Sequence, residues 1–193
     1  MKHTHSKQRA HNNIRNYGEM IRKIIVFAML GTMMFVSDVL MEFLPNIHIV
    51  GALTMTYTLV YRKLALVPIY VYVFLNGLYS GFGMWWFPYC YIWTILWMVT
   101  MILPKRMPSK IAAPIYMLVC SLHGLLFGTL YAPFQALAFG LSFEATVAWI
   151  ISGLPWDLVH AAGNLVAGVI ILPLSTVLAK LENKFSRSKA IVE

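Results

Sequence analysis

Long apolar runs occupy most of the chain, and polar side chains interrupt them at only a few places. The alternation of apolar and polar positions over about ten residues that marks a membrane-spanning strand is absent. A helix satisfies its own backbone hydrogen bonds in lipid, so we interpret these runs as helices. The predicted spans are residues 21–44, 47–61, 64–79, 88–103 and 111–131, and a last one that starts near Pro155.

Composition places these helices in a membrane. Of the 193 residues, 60% are apolar and 11% are charged, and the mean hydropathy is +0.71. An ordinary soluble domain has roughly 25% charged residues. We therefore expect an all-α integral membrane protein with a basic arm at residues 1–20, a six-helix membrane domain at 21–181 and a tail at 182–193.

The positive charges occupy four segments of the chain. The fifteen Lys and Arg residues lie in the arm through Lys23, at Arg62 and Lys63, between Lys105 and Lys110, and from Lys180 onward. Lys and Arg favour the cytoplasmic side of a membrane, so four cytoplasmic segments require an even number of spans. The pattern predicts six transmembrane helices with both termini in the cytoplasm. It also explains the net charge of +8 without a nucleic-acid partner.

Three polar side chains share one face of the predicted last helix. Asp157, His160 and Asn164 stand at i, i+3 and i+7, within a stripe roughly 60° wide. Placing each of these side chains in hydrocarbon would cost on the order of a few kcal/mol of free energy. We therefore expect this face to point into the protein. For Asp157 the alternative is a capping carboxylate in the first turn of that helix, because it follows Pro155 closely.

Other candidate binding residues lie near the predicted outer ends of the helices. We expect them to line an outer pocket together with the stripe: Asn76, Trp85, Trp86, Tyr89, Trp93, His123 and Gln135. The loop from Gly81 to Pro88 is rich in glycine, so its two tryptophans could close over a ligand. The alternatives are an interfacial aromatic belt for this loop and ordinary packing for the fourth span. His48 is either a turn residue or part of a lid.

Small residues predict close helix contacts at two places. Ala28, Gly31 and Thr32 form a small-residue face on the first span. Gly124 and Gly128 have the spacing at which two membrane helices approach closely. Another helix could therefore pack against either segment.

Two features of the predicted outer side remain open from the sequence. Asp38 and Glu42, at the end of the first span, are either solvated carboxylates or part of a substrate entrance. Residues 132–155 form the longest outer connection, and they are apolar enough for a half-inserted helix.

The last helix resembles that of a known transporter family. It opens with Gly-Leu-Pro-Trp-Asp-Leu-Val-His-Ala-Ala-Gly-Asn at residues 153–164 and ends with Pro173-Leu174 before a basic tail. With six predicted helices and cytoplasmic ends, this pattern resembles the substrate-binding S component of energy-coupling factor (ECF) vitamin transporters over about residues 21–184.

The resemblance implies a membrane subunit that captures a vitamin or vitamin precursor at the outer face of the bacterial plasma membrane. It implies as partners a transmembrane coupling protein, two cytoplasmic ATPases, the ligand and the lipid bilayer, with no cofactor or metal. The family's Ala-rich docking pattern on the first helix is only partly present, as Ala28-x-x-x-Thr32 with Gly31. The resemblance thus implies docking by these three residues, although the pattern departs from that of the family.

The predicted outer pocket contains no basic side chain, which argues against a phosphate or carboxylate ligand. A flat, neutral or weakly cationic heterocycle fits better, such as a benzimidazole-type cobalamin precursor or a thiamine-pathway heterocycle. The chain has no P-loop, HExxH or GxSxG motif, so we do not expect an enzyme. The remaining alternatives are a membrane scaffold and an intramembrane enzyme that uses Asp157 and His160.

The charge pattern makes a testable prediction about topology. A cysteine introduced by Ser109→Cys should react with a membrane-impermeant thiol reagent only after cells are permeabilised, because this position lies in a basic segment. Ser142→Cys, in the predicted outer connection, is the matched control and should react in intact cells. Rapid labelling at position 109 from outside would overturn the topology.

Overall fold

A computed structural model describes the backbone of residues 2–105 and 107–191 and the side chains of residues 16–105 and 107–185. Within these ranges the chain is helical and contains no strand, which confirms the all-α prediction. The helices are α1 (Lys2–Leu40), α2 (Val50–Tyr61), α3 (Leu66–Ser80), α4 (Trp86–Ile102), α5 (Ser109–Leu125), α6 (Phe127–Phe139), α7 (Phe143–Ala167) and α8 (Ile171–Ile191). Short 3-10 turns at Arg62–Ala65 and Gly168–Ile170 lead into α3 and α8.

The protein has the helices of a membrane protein. Four helical stretches in the described part of the chain are long and apolar enough to cross a membrane: Asn16–Leu40, Val50–Ser80, Ser109–Phe139 and Phe143–Phe185. The helix Trp86–Ile102 is apolar but shorter. For the predicted arm and tail, the side chains before residue 16 and after residue 185 lie outside the described residues, as does Arg106 in the third basic segment.

Helix α2 forms the centre of the bundle. Nine of its 12 residues are buried, and it contacts α1, α4, α5, α7 and α8. A helix that is apolar all round can be buried on all sides. The few polar groups of α2 are threonine hydroxyls: that of Thr58 donates to the carbonyl of Thr54 (2.7 Å), whereas those of Thr54 and Thr56 are buried without a partner. Five of the other helices therefore pack around α2.

The stretch Val50–Ser80 contains a break at Arg62. This residue has φ of 56°, and its carbonyl accepts a hydrogen bond from Trp97 Nε1 (3.0 Å). Helix α3 then runs antiparallel to α4, because Arg62 lies near the end of α4 while Val73 accepts a hydrogen bond from Trp86 at its start (2.8 Å). The second long stretch is thus two helices rather than one straight rod.

Polar contacts join several helices at the end of the bundle where the basic residues lie. Arg22 on α1 forms a bidentate ion pair with Glu182 on α8, with contacts of 3.1 Å, and the Tyr61 hydroxyl donates to the same carboxylate (3.0 Å). Arg62 donates to the carbonyl of Met101 at the end of α4 (2.7 Å). Segments that the charge pattern assigned to one side of the membrane are therefore close together in space.

The prediction that the last span starts near Pro155 was wrong, because α7 begins at Phe143. Residues 132–155 are helical, as their apolar composition predicted, except for the turn between the end of α6 at Phe139 and the start of α7. Gly140 ends α6 in the left-handed conformation (φ 63°), and the Ser142 hydroxyl caps α7 by accepting from Ala145 N–H (3.2 Å). Pro155 therefore lies inside α7, where neighbouring helices make a proline tolerable in a membrane protein.

Two glycines allow helices to touch at backbone distance. A Cβ added at Gly31 would lie 2.6 Å from Val71 Cβ, so α1 and α3 meet there. A Cβ at Gly124 would lie 3.0 Å from the carbonyl oxygen of His160, which joins α5 to α7. The close contact that the glycine spacing predicted at Gly124 is therefore present.

The same geometry separates the three residues predicted for docking. Gly31 is buried against α3 and cannot contact a partner protein, whereas Ala28 and Thr32 are exposed. The Thr32 hydroxyl donates to the carbonyl of Ala28 (2.9 Å), so its hydroxyl proton already has an acceptor although the side chain is exposed. A docking surface at this level of α1 would therefore consist of Ala28 and Thr32 without Gly31.

The contact at Gly31 predicts the effect of a minimal substitution. Gly31→Ala should lower the free energy of unfolding by about 1–3 kcal/mol, because the new methyl group would push α1 away from α3. Gly153→Ala is the matched control, since nothing lies within 4 Å of its added Cβ. Thermal unfolding in detergent measures both, and equal stability of the two variants would contradict the proposed α1–α3 contact.

Candidate ligand-binding site

Nine buried side-chain nitrogen or oxygen atoms in the described part of the chain have no hydrogen-bond partner. Five of them belong to residues in one region: His48 Nδ1, Trp93 Nε1, His123 Nδ1, His160 Nε2 and Asn164 Oδ1. We call these five residues the imidazole cluster. A buried polar group without a partner costs roughly 1–3 kcal/mol, so five together require an explanation.

The rings of the cluster are in mutual contact. The His48 ring centroid lies 4.8 Å from that of His160 and 5.9 Å from that of Trp93. Trp93 in turn lies 5.6 Å from His123. Phe127 fills the remaining side, 5.0 Å from His160 and 6.0 Å from Trp93. The unpaired atoms are thus set in an aromatic environment closed by ring-to-ring contacts.

Helices α5 and α7 position one half of the cluster. Asn164 follows His160 by one helical turn on α7, and Gly124 on α5 lets that face approach closely. Asn164 donates its amide nitrogen to the carbonyl of Cys120 (3.2 Å). A carbonyl oxygen can only accept, so this bond fixes the orientation of the amide and directs Oδ1 away from α5.

The same reasoning fixes the tautomer of His123. Its Nε2 atom lies 3.2 Å from the carbonyl oxygen of Ile92, so in the neutral ring Nε2 carries the proton. Nδ1 of His123 is then a hydrogen-bond acceptor. Trp93 is 1% exposed and its indole nitrogen can only donate. The cluster therefore contains two fixed acceptors, Asn164 Oδ1 and His123 Nδ1, and one fixed donor, Trp93 Nε1.

The two carboxylates closest to the cluster already have partners. Asp38 Oδ2 accepts hydrogen bonds from the Tyr72 hydroxyl and from Asn76 Nδ2, both at 2.9 Å. Asp157 accepts from the backbone N–H of Gly128, at 3.1 and 3.2 Å to its two oxygens. The imidazole cluster contains no Asp, Glu, Lys or Arg. It could carry a charge only if one of its histidines were protonated. Among the described residues no group of three His, Cys, Asp or Glu is arranged to hold a metal ion.

Asp157 is a capping residue, but of a different helix from the one expected. Because α7 begins at Phe143, Asp157 lies in its middle rather than in its first turn. The helix that it caps is α6, which starts at Phe127 after the break at Leu126. The first N–H groups of a helix have no partner within it, and a carboxylate there is favourable.

Three aromatic residues on α4 and the preceding loop lead towards the cluster. Trp85 lies 5.4 Å from Tyr89, and Tyr89 lies 6.0 Å from Trp93, all in edge-to-face contact. Trp86 points elsewhere: its indole donates to the carbonyl of Val73 (2.8 Å), and its ring packs on Phe82. Trp85 and Tyr89 therefore adjoin the cluster through Trp93, whereas Trp86 fastens α4 to α3.

Two other predicted residues are not members of the cluster. Asn76 donates to Asp38, which also accepts from Tyr72, and the Tyr72 ring lies 5.9 Å from Trp93, so Asn76 adjoins the cluster through these two residues. Gln135 lies on α6 eight positions beyond Phe127, about 12 Å further along the helix axis. Of the ten predicted binding residues, the structure brings His160, Asn164, Trp93 and His123 together.

Sequence reasoning left two members of this region out. His48 follows the turn at Asn46, where φ is 57°, and the sequence could not decide between a turn residue and a lid. Its ring packs on those of His160 and Trp93, so His48 belongs to the cluster. Phe127 stood within an apolar run with no distinguishing signal, because nothing in that run marks the helix break at Leu126.

An apolar groove of about 470 Å³ opens on the lateral surface beside His48. It runs between residues 41–49 and α7, and its lining includes Ile47, Val159 and Gly163. Ile47 contacts α7 where Gly163 has no side chain, with 3.3 Å between Ile47 Cγ1 and an added Cβ. The groove therefore ends at the non-helical segment that covers the imidazole cluster.

Comparison of the chain with protein-family models, with curated proteins and with solved structures gave no match. The function is therefore inferred from the site itself.

The capping role of Asp157 predicts how its substitutions will differ. Asp157→Ala should lower the free energy of unfolding by about 1 kcal/mol, because it leaves the Gly128 N–H without an acceptor. Asp157→Asn should retain most of the stability, since its amide oxygen can still accept. Thermal unfolding of both variants in detergent checks this, and equal losses for Ala and Asn would point to a role for the charge elsewhere.

Proposed function

We propose that this protein is the substrate-binding S component of an ECF-type importer, which captures a vitamin or vitamin precursor at the outer face of the bacterial plasma membrane. The observation that supports this is the imidazole cluster. Five of the nine described buried polar atoms without partners are gathered in this one cluster, and a bound ligand would supply those partners.

The surroundings of the cluster favour binding over catalysis. The enzyme alternative uses Asp157 and His160 as an acid–base or metal pair, whereas the Asp157 carboxylate accepts the Gly128 N–H at the start of α6, which accounts for its presence by capping. A scaffold protein has no use for unpaired polar atoms in its interior. We therefore expect reversible binding of an unmodified small molecule.

The path of the chain supports a six-helix topology. Helix α2 reverses into α3 at Arg62, and residues 140–142 reverse the chain between α6 and α7. If α5 and α6 form one pass and α7 and α8 form another, the chain crosses the membrane six times. The contacts of Arg22, Arg62 and Glu182 then lie at one end of the bundle. This arrangement agrees with cytoplasmic termini and a ligand site reached from the other side.

The surface of α1 supports docking of a partner protein. Ala28 and Thr32 are exposed, and next to them an apolar groove of about 500 Å³ lies between α1 and α3, lined by Lys23, Leu64 and Val67 among others. Small exposed residues allow a second membrane helix to approach closely. In the proposed function this surface binds the transmembrane coupling protein, which connects the chain to two cytoplasmic ATPases.

The proposal predicts that the chain does not concentrate its ligand alone. The first measurement is mass spectrometry of small molecules released from the purified protein. Uptake of the released compound against a gradient should then require coexpression of a coupling protein and its ATPases, because the chain encodes no nucleotide-binding motif.

The control for this experiment is the same module with inactive ATPases, which should abolish accumulation while leaving binding unchanged. Concentrative uptake by the chain alone would contradict the proposal, as would chemical conversion of the bound compound.

A further inference from the structure

We propose that the groove between α1 and α3 binds an anionic phospholipid of the inner leaflet, with its headgroup at Lys23 and one acyl chain along α3. This inference goes beyond the proposed function and does not depend on it, because it concerns the lipid-facing surface of two helices. The lipid would occupy this surface while no partner protein covers it.

The groove has apolar walls and a buried floor. Its volume is about 500 Å³, and the ring of Phe27, which is 6% exposed, lies at its base. Met20 and Ile24 on α1 line one side, and Leu64 and Val67 line the other. These four side chains are 46 to 60% exposed, so they are available to an occupant of the groove. Such a lining suits a hydrocarbon chain.

A second apolar groove, of about 510 Å³, continues the first one along α3. Val67 and Val71 line both grooves, and the second reaches Phe74 and Leu75. From Leu66 to Leu75 the helix rises about 14 Å. One leaflet contributes roughly 15 Å to the hydrocarbon core of a bilayer. The two grooves together are therefore long enough for one acyl chain of a single leaflet.

The direction of the helices places the polar end of the first groove on the predicted inner side. Helices α1 and α3 run in the same direction, because Gly31 contacts Val71 and, further along both helices, Asp38 accepts from Asn76. The groove extends from this contact towards Lys23, which belongs to the basic segments that the charge pattern assigns to the cytoplasm. Its open end is thus level with the headgroups of the inner leaflet.

The side chains at this end favour an anionic headgroup. Lys23 and Asn16 line the groove, and the exposed Lys63 directly precedes Leu64 in its lining. Glu19 lies at the same end and already has an interaction within the protein. A lysine can keep its methylene groups on an apolar wall while its ammonium group reaches a phosphate at the interface. Basic pockets between helices on the cytoplasmic side typically bind anionic headgroups.

Paired phospholipids test this inference. Phosphatidylglycerol and phosphatidylcholine with identical acyl chains are titrated into the full-length protein in detergent, and bound lipid is counted by native mass spectrometry, with thermal shift as a second readout. Phosphatidylglycerol has a net negative charge, whereas phosphatidylcholine is zwitterionic. The anionic lipid should therefore bind about tenfold more tightly.

A charge substitution identifies the headgroup position. Lys23→Gln should weaken binding of phosphatidylglycerol about fivefold and leave phosphatidylcholine unchanged, because it removes one positive charge at the interface. Lys110→Gln is the matched control. Lys110 is exposed at the start of α5, which packs against α2 and α7, and its loss should leave both affinities unchanged.

A larger side chain tests the position of the acyl chain. Val67→Trp should fill the place where the two grooves meet and weaken binding of both lipids about tenfold, because it displaces buried methylene groups. Val99→Trp, at an exposed position on α4, is the matched control. Lys23→Gln changes an exposed side chain, so the test stays decisive if Val67→Trp does not fold.

Three outcomes would overturn the inference. Equal affinity for the two lipids would indicate a lipid shell without selectivity. Equal losses from Lys23→Gln and Lys110→Gln would indicate general attraction to basic residues rather than a site. A lipid-free dimer that Val67→Trp dissociates would assign the groove to a second copy of the chain. Uptake with the coupling module is measured separately and tests the proposed function alone.

Discussion

The structure depends on one constraint: a polar group buried in a lipid-facing bundle must find a partner inside the protein. Most of the described polar side chains meet it through specific pairs, such as Asp38 with Tyr72 and Asp157 with Gly128. These pairs also connect helices, because each partner belongs to a different one. Among the described residues nine buried polar atoms depart from this rule, and five of them belong to the imidazole cluster. That contrast is the reason for assigning the cluster to a ligand rather than to packing.

The sequence predicted the helical class and the inward face of the last helix for clear physical reasons. Polar residues at helical spacing in an apolar run have to point at protein, so His160 and Asn164 could be placed without a structure. Gly124 could be identified as a close contact because the spacing of small residues has a direct geometric meaning. Each of these predictions depends on a single helix or on one contact between two helices.

Other features could not be predicted because they depend on which helices are neighbours. Pro155 was interpreted as a helix start, yet surrounding helices make it tolerable within α7, and this moved Asp157 from the first turn to the middle. Trp86 and Trp93 both lie in the first half of α4, but the indole of Trp86 donates to the carbonyl of Val73, whereas that of Trp93 has no hydrogen-bond partner. The sequence contains no signal for that difference, since it arises from the packing of α3 against α4.

The closed position of His48 also has a consequence for kinetics. If the cluster binds a ligand, as we propose, residues 41–49 have to move before the ligand reaches it, and only the open fraction of molecules would be competent to bind. The apparent dissociation constant is then the intrinsic one divided by that fraction, and association is slower than diffusion allows. The same closure retards escape, because a bound ligand leaves only when the segment opens again. In the proposed function, this closure would hold a scarce compound long enough for the chain to meet its coupling protein in the plane of the membrane.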